Sequence, residues 1–281
     1  MIILNRTIFL SFYRRRFMSH LNQFVQQCHD SLINGKTSEI DEAKEYLAKR
    51  HITPQSINLH GIGYCSYKDK IPDEINFFGK DKQDIGINGK GGYAYFIRGR
   101  IVIPIYSEFG LLVGFATRKP SFEPGNTWWN ISKPFQKSNH LFLLDKARKS
   151  VFQSDKIYLV EGYIDAIILY QAGLMGVVGL MGTNLSARQV GLISRYCSNI
   201  CLCLDVDQNQ SGQKAQGKAI YAIKKFDFYD KISVIEGLPV GEDPDVFVAK
   251  NGLPELIKRE RIMTGSEITK IYRAVASENK G

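Results

Sequence analysis

The stretch YLVEGYIDAI, residues 158–167, decides the fold of the second half of the chain. Residues 158–160 continue an apolar, partly β-branched run that is typical of a buried strand, and Glu161 and Gly162 end it. A helical pattern follows, with Asp165 in its first turn. Open α/β sheets place their chemistry where a parallel strand ends and a helix begins. The stretch alone leaves open whether Glu161 is a charge at a helix start or a metal ligand.

The alternation of strand and helix continues from Asp155 to about residue 250. Strands are predicted at IYLVEG, GVVGLMG, NICLCLDVD and KISVIEGLP, and helices at 164–173, 186–196, about 212–226 and from about 243. This rhythm predicts a parallel sheet that is covered by helices. In the loop after the second strand, Gly182 permits a tight turn, and one interpretation is that the backbone N–H groups of this loop bind a phosphate. Ser186 is the expected N-cap of the next helix.

The first half of the chain has a different pattern of predicted secondary structure. RIVIPIY and LLVGFAT, separated by a turn at 108–110, predict antiparallel strands. The glycines at 86, 89, 91 and 92 are interpreted as turns, because no GxxxxGK[ST] motif is present and strand-like residues follow them. The predicted fold class is therefore α/β (α+β overall), with a mixed α/β subdomain followed by a parallel-sheet subdomain.

Acidic pairs follow three of the four predicted strands. The pairs are Glu161 with Asp165, Asp205 with Asp207, and Asp243 with Asp245. Because parallel strands end at one edge of a sheet, we expect the three pairs to converge. Clustered carboxylates repel unless cations neutralise them, and hard oxygen ligands suit Mg²⁺ or Mn²⁺. Each pair also has a purely structural interpretation. Asp165 can be a charge in the first turn of a helix, Asp243 can be a helix cap, and Asp205 with Asp207 can be the polar end of a strand.

Composition excludes several classes of protein. The 281 residues contain no run of about 18 apolar residues, so no membrane span is expected. Five cysteines without regular spacing favour a reducing compartment over a disulfide framework, and the lack of a CxxC pair argues against a zinc ribbon. Cys28 and His29 are expected at the surface without a function.

The net charge of +9 is unevenly distributed. Residues 86–149 hold ten Lys/Arg against three Asp/Glu, whereas residues 157–249 hold seven against ten. A basic segment followed by an acidic one suits a protein that handles nucleic acid or nucleotides through metal ions. The alternative is that the basic residues only solubilise one face. The amino terminus has no acidic residue before Asp30 and carries Arg14–Arg16, so residues 1–35 are predicted to be a basic arm or a leader, with Met18 as an alternative start.

Several motifs occur in the order known from one family. VEGYIDAI, GTNLS, LDVDQNQSGQKA and LPVGEDPDVFVAKNG resemble the Toprim domain of bacterial DnaG-type primases. Upstream, RGRIVIPIYSEFGLLVGFATR and WNISKPFQKSNHLFLLDKARKS are similar to the N-terminal subdomain of that family's RNA polymerase core. The resemblance covers about residues 40–260. It implies a basic N-terminal subdomain at 36–150, a Toprim domain at 151–250 and a helical tail at 251–281.

The resemblance also implies roles for individual residues. Glu161 corresponds to the Toprim glutamate, which acts as acid/base or organises the metals. The residues that resemble metal-binding aspartates are Asp165, Asp205, Asp207, Asp243 and Asp245, with Asp205 and Asp207 also counted as catalytic. The residues that resemble template or nucleotide contacts are Arg98, Arg100, Arg118, Asn130 and Lys137. Each of these, taken alone, is equally well a solvated surface group.

The chain departs from the family pattern in four places. No zinc-binding module precedes the core and no helicase-interaction domain follows it, so no zinc is expected in this chain. The turn after Asp207 is longer than in the family, and Thr127 or a neighbour replaces an expected lysine. The zinc module is expected either on another polypeptide or to be lost.

The function implied is that of a DNA primase, which synthesises short RNA primers on single-stranded DNA from ribonucleoside triphosphates with two or more Mg²⁺ or Mn²⁺ ions. Partners implied are the template, the nucleotides, and either a replicative helicase or a separate zinc-bearing protein. The expected location is the cytoplasm at the replication fork, with an organelle as the alternative. A Toprim nuclease and an inactive template-binding factor remain competing interpretations.

Overall fold

The computed structural model describes residues 2–72, 97–123, 128–131, 135–205, 211–239 and 241–278. The chain forms two compact units. Unit 1 comprises Met1–Ile105 and Leu111–Phe135, and unit 2 comprises Tyr106–Gly110 and Gln136–Gly281. Asp207, Thr127 and the glycines at 86–92 lie outside the described residues, so the predictions made for them stay predictions.

Unit 1 combines helices with a four-stranded sheet. The helices are α1 (Ile2–Asn34), α2 (Ser38–Lys49) and α3 (Pro54–His60), and the strands are β1 (Gly63–Cys65), β2 (Arg100–Tyr106), β3 (Leu112–Arg118) and β4 (Trp129–Asn130). The strand order is β1-β2-β3-β4, with β1 antiparallel to β2 and β3 antiparallel to β4. The strands predicted from RIVIPIY and LLVGFAT are confirmed as β2 and β3.

The amino-terminal segment is not a separate arm over its second half. Leu21, Phe24, Cys28 and Leu32 of α1 are buried, and α1 packs against β1 and β3. The Phe24 ring lies 5.3 Å from the ring of Phe115 on β3. These positions repeat at helical spacing, so the sequence does carry the signal. The expectation of an arm was therefore wrong for this half of the segment. It rested on the acid-free, Arg-rich composition of residues 1–29, whereas the apolar stripe of α1 determines how the helix packs.

Unit 2 is an α/β layer structure. Its strands are β5 (Lys156–Val160), β6 (Val177–Gly179), β7 (Asn199–Leu202), β8 (Lys231–Ile235) and β9 (Glu260–Ile262). Its helices are α4 (Leu144–Ser154), α5 (Tyr163–Gln171), α6 (Ala187–Ile193), α7 (Ser211–Phe226), α8 (Pro244–Asn251), α9 (Leu253–Ile257) and α10 (Gly265–Glu278), with a 3-10 helix at Lys137–Asn139. A buried aliphatic core includes Ile157 and Leu159 of β5, Ile200 of β7 and Val234 of β8.

The sheet of unit 2 has the order β6-β5-β7-β8-β9. Its first four strands are parallel, which confirms the predicted α/β fold class. The fifth strand is antiparallel to β8 and lies within the segment that was expected to be a helical tail. That expectation was wrong for residues 260–262. The three residues, Glu-Arg-Ile, are too few to show an apolar alternation that would predict a strand. Among the described helices, none combines the length and apolarity that a membrane crossing requires.

Candidate active site

The turn from β5 into α5 places Glu161 and Asp165 at the carboxyl end of the sheet. Gly162 is the N-cap of α5, and its backbone N–H donates a hydrogen bond of 3.0 Å to Oδ2 of Asp165. A Cβ atom on Gly162 would lie 2.5 Å from the same oxygen, so any other residue there would force this carboxylate to move. Glu161 is half-buried, whereas Asp165 is buried with 8% exposure. Asp165 therefore is a first-turn helix charge, and this also holds its carboxylate in one orientation.

Asp205 lies three residues beyond β7, beside β5. The two strands are paired through Leu159 and Leu202, and the pairing continues with a 2.9 Å bond from the Cys203 N–H to the Leu159 carbonyl. Asp205 is half-buried. Burial raises the pKa of the Cys203 thiol well above its ordinary value, and the charges of Cys201, Asp165 and Asp205 raise it further. Asp165 and Asp205 thus both act on the Cys203 thiol.

The third acidic pair lies at the start of α8. Asp243 is the N-cap residue of α8, although its side chain accepts no capping bond, and Asp245 lies in the first turn. Asp245 is buried with 3% exposure, and α8 packs against α5. Asp165 and Asp245 are therefore buried carboxylates in the first turns of two packed helices, where the helix dipoles stabilise negative charge.

The carboxylates do not form one tight cluster. Among the described residues of unit 2, no three Asp, Glu, His or Cys side chains have ligand atoms within 4.8 Å of one another. Asp207 is outside the described residues. The described carboxylates form instead an acidic edge, with Glu161 and Asp205 after strands and Asp165 and Asp245 in helix first turns.

Lys137 lies against the loop that follows β6. Its Nζ donates a hydrogen bond of 3.4 Å to the carbonyl of Met181, and the next residue, Gly182, donates its N–H to the carbonyl of Glu161 at 3.2 Å. Met181 has a left-handed backbone conformation with φ of 61°, which is uncommon for a residue with a side chain. Lys137 is thus brought close to the turn that carries Glu161. The Gly182 N–H, expected to face a phosphate, is used within the protein.

Sequence reasoning missed the residue that holds this loop in place. Gln189 is buried and its Nε2 donates to the carbonyls of His140 at 2.8 Å and Leu180 at 3.3 Å. The side chains of Ser186 and Gln189 form a capping box, which confirms Ser186 as the N-cap of α6. A serine followed three residues later by glutamine is the sequence signal that would have found it.

The remaining basic residues lie in unit 1. Arg98 donates to the carbonyl of Ser66 at 3.3 Å and to that of Tyr67, so it supports the turn after β1. Arg100 pairs with Cys65 across β1 and β2. The Arg118 guanidinium lies 5.9 Å from the centre of the Trp128 ring.

Asn130 is on β4, opposite Ala116 of β3, and Arg118 ends β3. The structure therefore brings Arg118 and Asn130 onto neighbouring strands, together with the Trp128 ring. Arg98 and Arg100 lie at the start of the β1–β2 pairing. Arg98 is more than a solvated surface charge, because it binds two backbone carbonyls.

Comparison with known proteins gives matches over both halves of the chain. Residues 29–148 match the DNA primase catalytic core, N-terminal domain, and residues 158–248 match a Toprim-like domain. A DNA primase of Synechococcus elongatus is 33% identical over 250 residues, which is 82% of this chain and 35% of that primase. The chain thus spans about a third of the length of this relative.

Solved structures agree with the sequence matches. The zinc-binding and RNA polymerase domains of the Aquifex aeolicus primase superpose with a TM-score of 0.74 at 24% identity, over 93% of this chain and 68% of that one. A DnaG primase catalytic domain bound to single-stranded DNA gives 0.71 at 24% identity, over 89% and 81%. With the fold, the order of the two domains and the sequence matches in agreement, the chain belongs to the family of DnaG-type primase catalytic cores.

Proposed function

We propose that this chain is the catalytic core of a DNA primase, a DNA-directed RNA polymerase that makes short RNA primers on single-stranded DNA. The observation that carries the proposal is the order of two domains: a primase-type N-terminal domain at 29–148 directly precedes a Toprim-like domain at 158–248. A Toprim domain alone would fit a nuclease equally well, because one fold serves many functions. The primase-type domain that precedes it favours primer synthesis over cleavage.

The residues of the acidic edge, together with Asp207 and Asp243, are suited to hold divalent cations. Asp165, Asp205, Asp207, Asp243 and Asp245 are the proposed ligands, with Glu161 as acid/base or as a further ligand. Carboxylate oxygens are the donors that Mg²⁺ and Mn²⁺ prefer. Mg²⁺ is usually held by one or two carboxylates and completed by water and substrate phosphates, so an open arrangement of carboxylates fits it better than a closed cage. When bound, two such ions would supply positive charge that orients the attacking 3′-hydroxyl and stabilises the negative charge on the phosphate oxygens.

In the proposed reaction, the 3′-hydroxyl of the growing RNA gives its proton to Glu161, the proposed base, and its oxygen forms a bond to the α-phosphorus of an incoming nucleotide. The bond from that phosphorus to the β-phosphate bridging oxygen breaks, and pyrophosphate leaves. The protein's part is to position these groups. The Gly162 N–H keeps the Asp165 carboxylate in a fixed orientation, and Lys137 supplies a positive charge beside the Glu161 turn for the triphosphate.

Unit 1 is the proposed template-binding part. Arg118, Trp128 and Asn130 combine a cation, an aromatic ring and an amide at the end of β3 and on the segment beside it, which suits a nucleic-acid backbone and a stacked base. Arg98 and Arg100 add positive charge. The solved DnaG catalytic domain bound to single-stranded DNA supports this assignment by its fold alone.

A priming assay tests the proposal. Purified chain is incubated with single-stranded DNA of mixed sequence, Mg²⁺ or Mn²⁺ and labelled ribonucleotides, beside the variants Asp205→Asn and Asp227→Asn. Asp227 makes an exposed ion pair with Lys224 and serves as the matched control. We expect metal-dependent oligoribonucleotides from the native chain and from Asp227→Asn, and a loss of about 100-fold or more in Asp205→Asn, as for removal of a group that organises the transition state.

The other outcomes separate the competing functions. Shortened DNA with no RNA would establish a nuclease. If neither product forms, the assay is repeated with a zinc-bearing primase domain added in trans. Continued absence of RNA would then contradict the polymerase proposal and favour a template-binding accessory role.

A further inference from the structure

Two cysteines that are 37 residues apart in sequence meet in the core of unit 1. Cys28 lies on α1 and Cys65 ends β1, and both are fully buried. The helix can approach the strand because Gly63 has no side chain, since a Cβ there would lie 2.5 Å from the carbonyl carbon of Cys28. The Nδ1 of His29 lies 2.8 Å from the carbonyl oxygen of Ile62 and fastens the same contact. The expectation that Cys28 and His29 lie at the surface without consequence was therefore wrong.

A carboxylate completes the group. Asp69 belongs to the turn that follows β1, and the Sγ atoms of Cys28 and Cys65 and a carboxylate oxygen of Asp69 all lie within 4.8 Å of one another. The backbone N–H of Ser66 donates to Oδ2 of Asp69 at 2.7 Å, and the hydroxyl of Ser31 on α1 donates to Oδ1 at 3.0 Å. Donors of this kind hold a metal-binding carboxylate in orientation.

We propose that Cys28, Cys65 and Asp69 bind one thiophilic divalent cation of the Zn²⁺ class, which fastens α1 to the turn after β1. Thiolates select Zn²⁺ over Mg²⁺ or Ca²⁺, which prefer oxygen ligands throughout. Zn²⁺ accepts Cys and Asp together in a tetrahedral site, with the fourth position open to water or a hydroxyl. Two sulfurs bound to one tetrahedral Zn²⁺ lie about 3.8 Å apart. The ligand atoms of this group already lie within 4.8 Å of one another, so they have to move by only about 1 Å to bind one ion.

The surroundings of the thiols explain why a cation would be held here. Burial raises the pKa of the Cys28 thiol, and Cys65 and Asp69 beside it raise it further. A divalent cation bound by two thiolates and one carboxylate would neutralise most of their charge. Asp69 is half-buried, whereas both cysteines are buried, so solvent reaches the group at Asp69. Two thiols that only formed a disulfide would gain nothing from a carboxylate beside them.

Cobalt titration of the full chain tests the site. Co²⁺ replaces Zn²⁺ in tetrahedral sites, and its binding to thiolate produces a near-ultraviolet charge-transfer band that carboxylate sites do not produce. The acidic edge of unit 2 therefore does not contribute to the signal. With reduced protein and excess Mg²⁺ on the carboxylates of unit 2, we expect the charge-transfer band to saturate at one Co²⁺ per chain and to disappear when Zn²⁺ is added.

Three variants make the test specific. Cys65→Ser should lose the band, while Cys197→Ser, another buried cysteine outside the group, should keep it. Asp69→Asn keeps both thiols and should weaken Co²⁺ binding at least about tenfold. No band in the native chain, or native affinity in Cys65→Ser, overturns the proposal. If circular dichroism shows that Cys65→Ser does not fold, Asp69→Asn decides, and an unchanged affinity there overturns it.

Discussion

At the scale of the residue, the turn at 161–165 shows how two interpretations of one side chain can both hold. Asp165 accepts the Gly162 N–H and caps α5, and the same bond keeps its carboxylate at the end of the sheet that carries Asp205. Capping and metal binding use different oxygen lone pairs of one carboxylate. The structural role of Asp165 thus prepares the role that we propose for it in metal binding.

Gly162→Ala should separate these roles. The added Cβ would lie 2.5 Å from Oδ2 of Asp165, so the carboxylate has to move. We expect primer synthesis to fall by about tenfold or more, since small misplacement of a positioning group costs rate steeply, while the protein stays folded. The priming assay and a thermal melt measure the two effects.

Gly191→Ala is the matched control for that variant. Gly191 lies within α6, and a Cβ there meets no atom within 4 Å. Alanine should therefore stabilise unit 2 by about 0.5–1 kcal/mol without affecting synthesis. Full activity in Gly162→Ala would show that the position of Asp165 does not matter.

The sequence was informative about which residues lie at the acidic edge, because strand ends and glycine turns follow from local pattern. It was silent on their neighbours. Nothing local indicates that Asp165 acts on the Cys203 thiol, or that Arg98 binds the carbonyls of Ser66 and Tyr67. Such contacts join residues more than 30 positions apart and depend on packing, which periodicity does not encode.

At the scale of the element, β9 is held to the rest of its sheet by a polar network. Its Glu260 carboxylate lies 2.6 Å from Nζ of Lys156 on β5, accepts the Tyr158 hydroxyl at 3.2 Å and accepts the Ser233 hydroxyl on β8. These contacts thus connect β9 to β5 across β8 and β7, the two strands that lie between them. Burial raises the pKa of Glu260, but the hydrogen bonds from Lys156 and Ser233 outweigh it, so the pKa lies below the ordinary 4.5.

Glu260→Gln should destabilise the protein by about 2 kcal/mol at neutral pH, because it leaves a partly buried lysine without its counter-charge. A depressed pKa stabilises the fold above the unfolded-state value, and this contribution is lost as the pH falls. The difference between native and variant protein should therefore shrink below about pH 4.5. Urea unfolding at several pH values measures it.

Glu255→Gln provides the comparison. Glu255 makes a 2.6 Å ion pair with Lys258, but both side chains are about half exposed or more. Such a pair contributes less than about 0.5 kcal/mol. Equal effects of the two substitutions would show that the network around Glu260 is no more than a surface ion pair.

Among the elements, the parallel strands and their helices were predictable, and β9 and the packing of α1 were not. Strands β5, β7 and β8 are apolar runs with turn signals after them, so their period and length identify them. β9 has only three residues and owes its existence to its hydrogen bonds with β8.

At the scale of the whole molecule, α1 belongs to the core of unit 1 from Leu21 onward. A chain that begins at Met18 keeps every buried residue of this helix that the structure describes, whereas a chain that begins at Gly35 loses Leu21, Phe24, Val25, Cys28 and Leu32. Each such side chain contributes about 1.5–3 kcal/mol on burial. Their sum is comparable to the whole stability of an ordinary domain.

We therefore expect the chain that begins at Met18 to keep the fold of unit 1, and the one that begins at Gly35 to lose it. Limited proteolysis followed by mass spectrometry should show cleavage within the described part of residues 36–123 only in the shorter protein. Protection of that region in both proteins would contradict the assignment of α1 to the core.

The antiparallel edge strand has a consequence for how the molecules behave at high concentration. An open sheet edge exposes backbone groups that can pair with the edge of another molecule and begin aggregation. Here the edge beside β8 is occupied by a strand of three residues, two of them charged, and Arg261 is fastened by carboxylates of Glu236 and Glu267 at 2.6 and 3.2 Å. A short, charged strand is a poor template for a second chain. By this means β9 protects the longer parallel strands from intermolecular growth of the sheet.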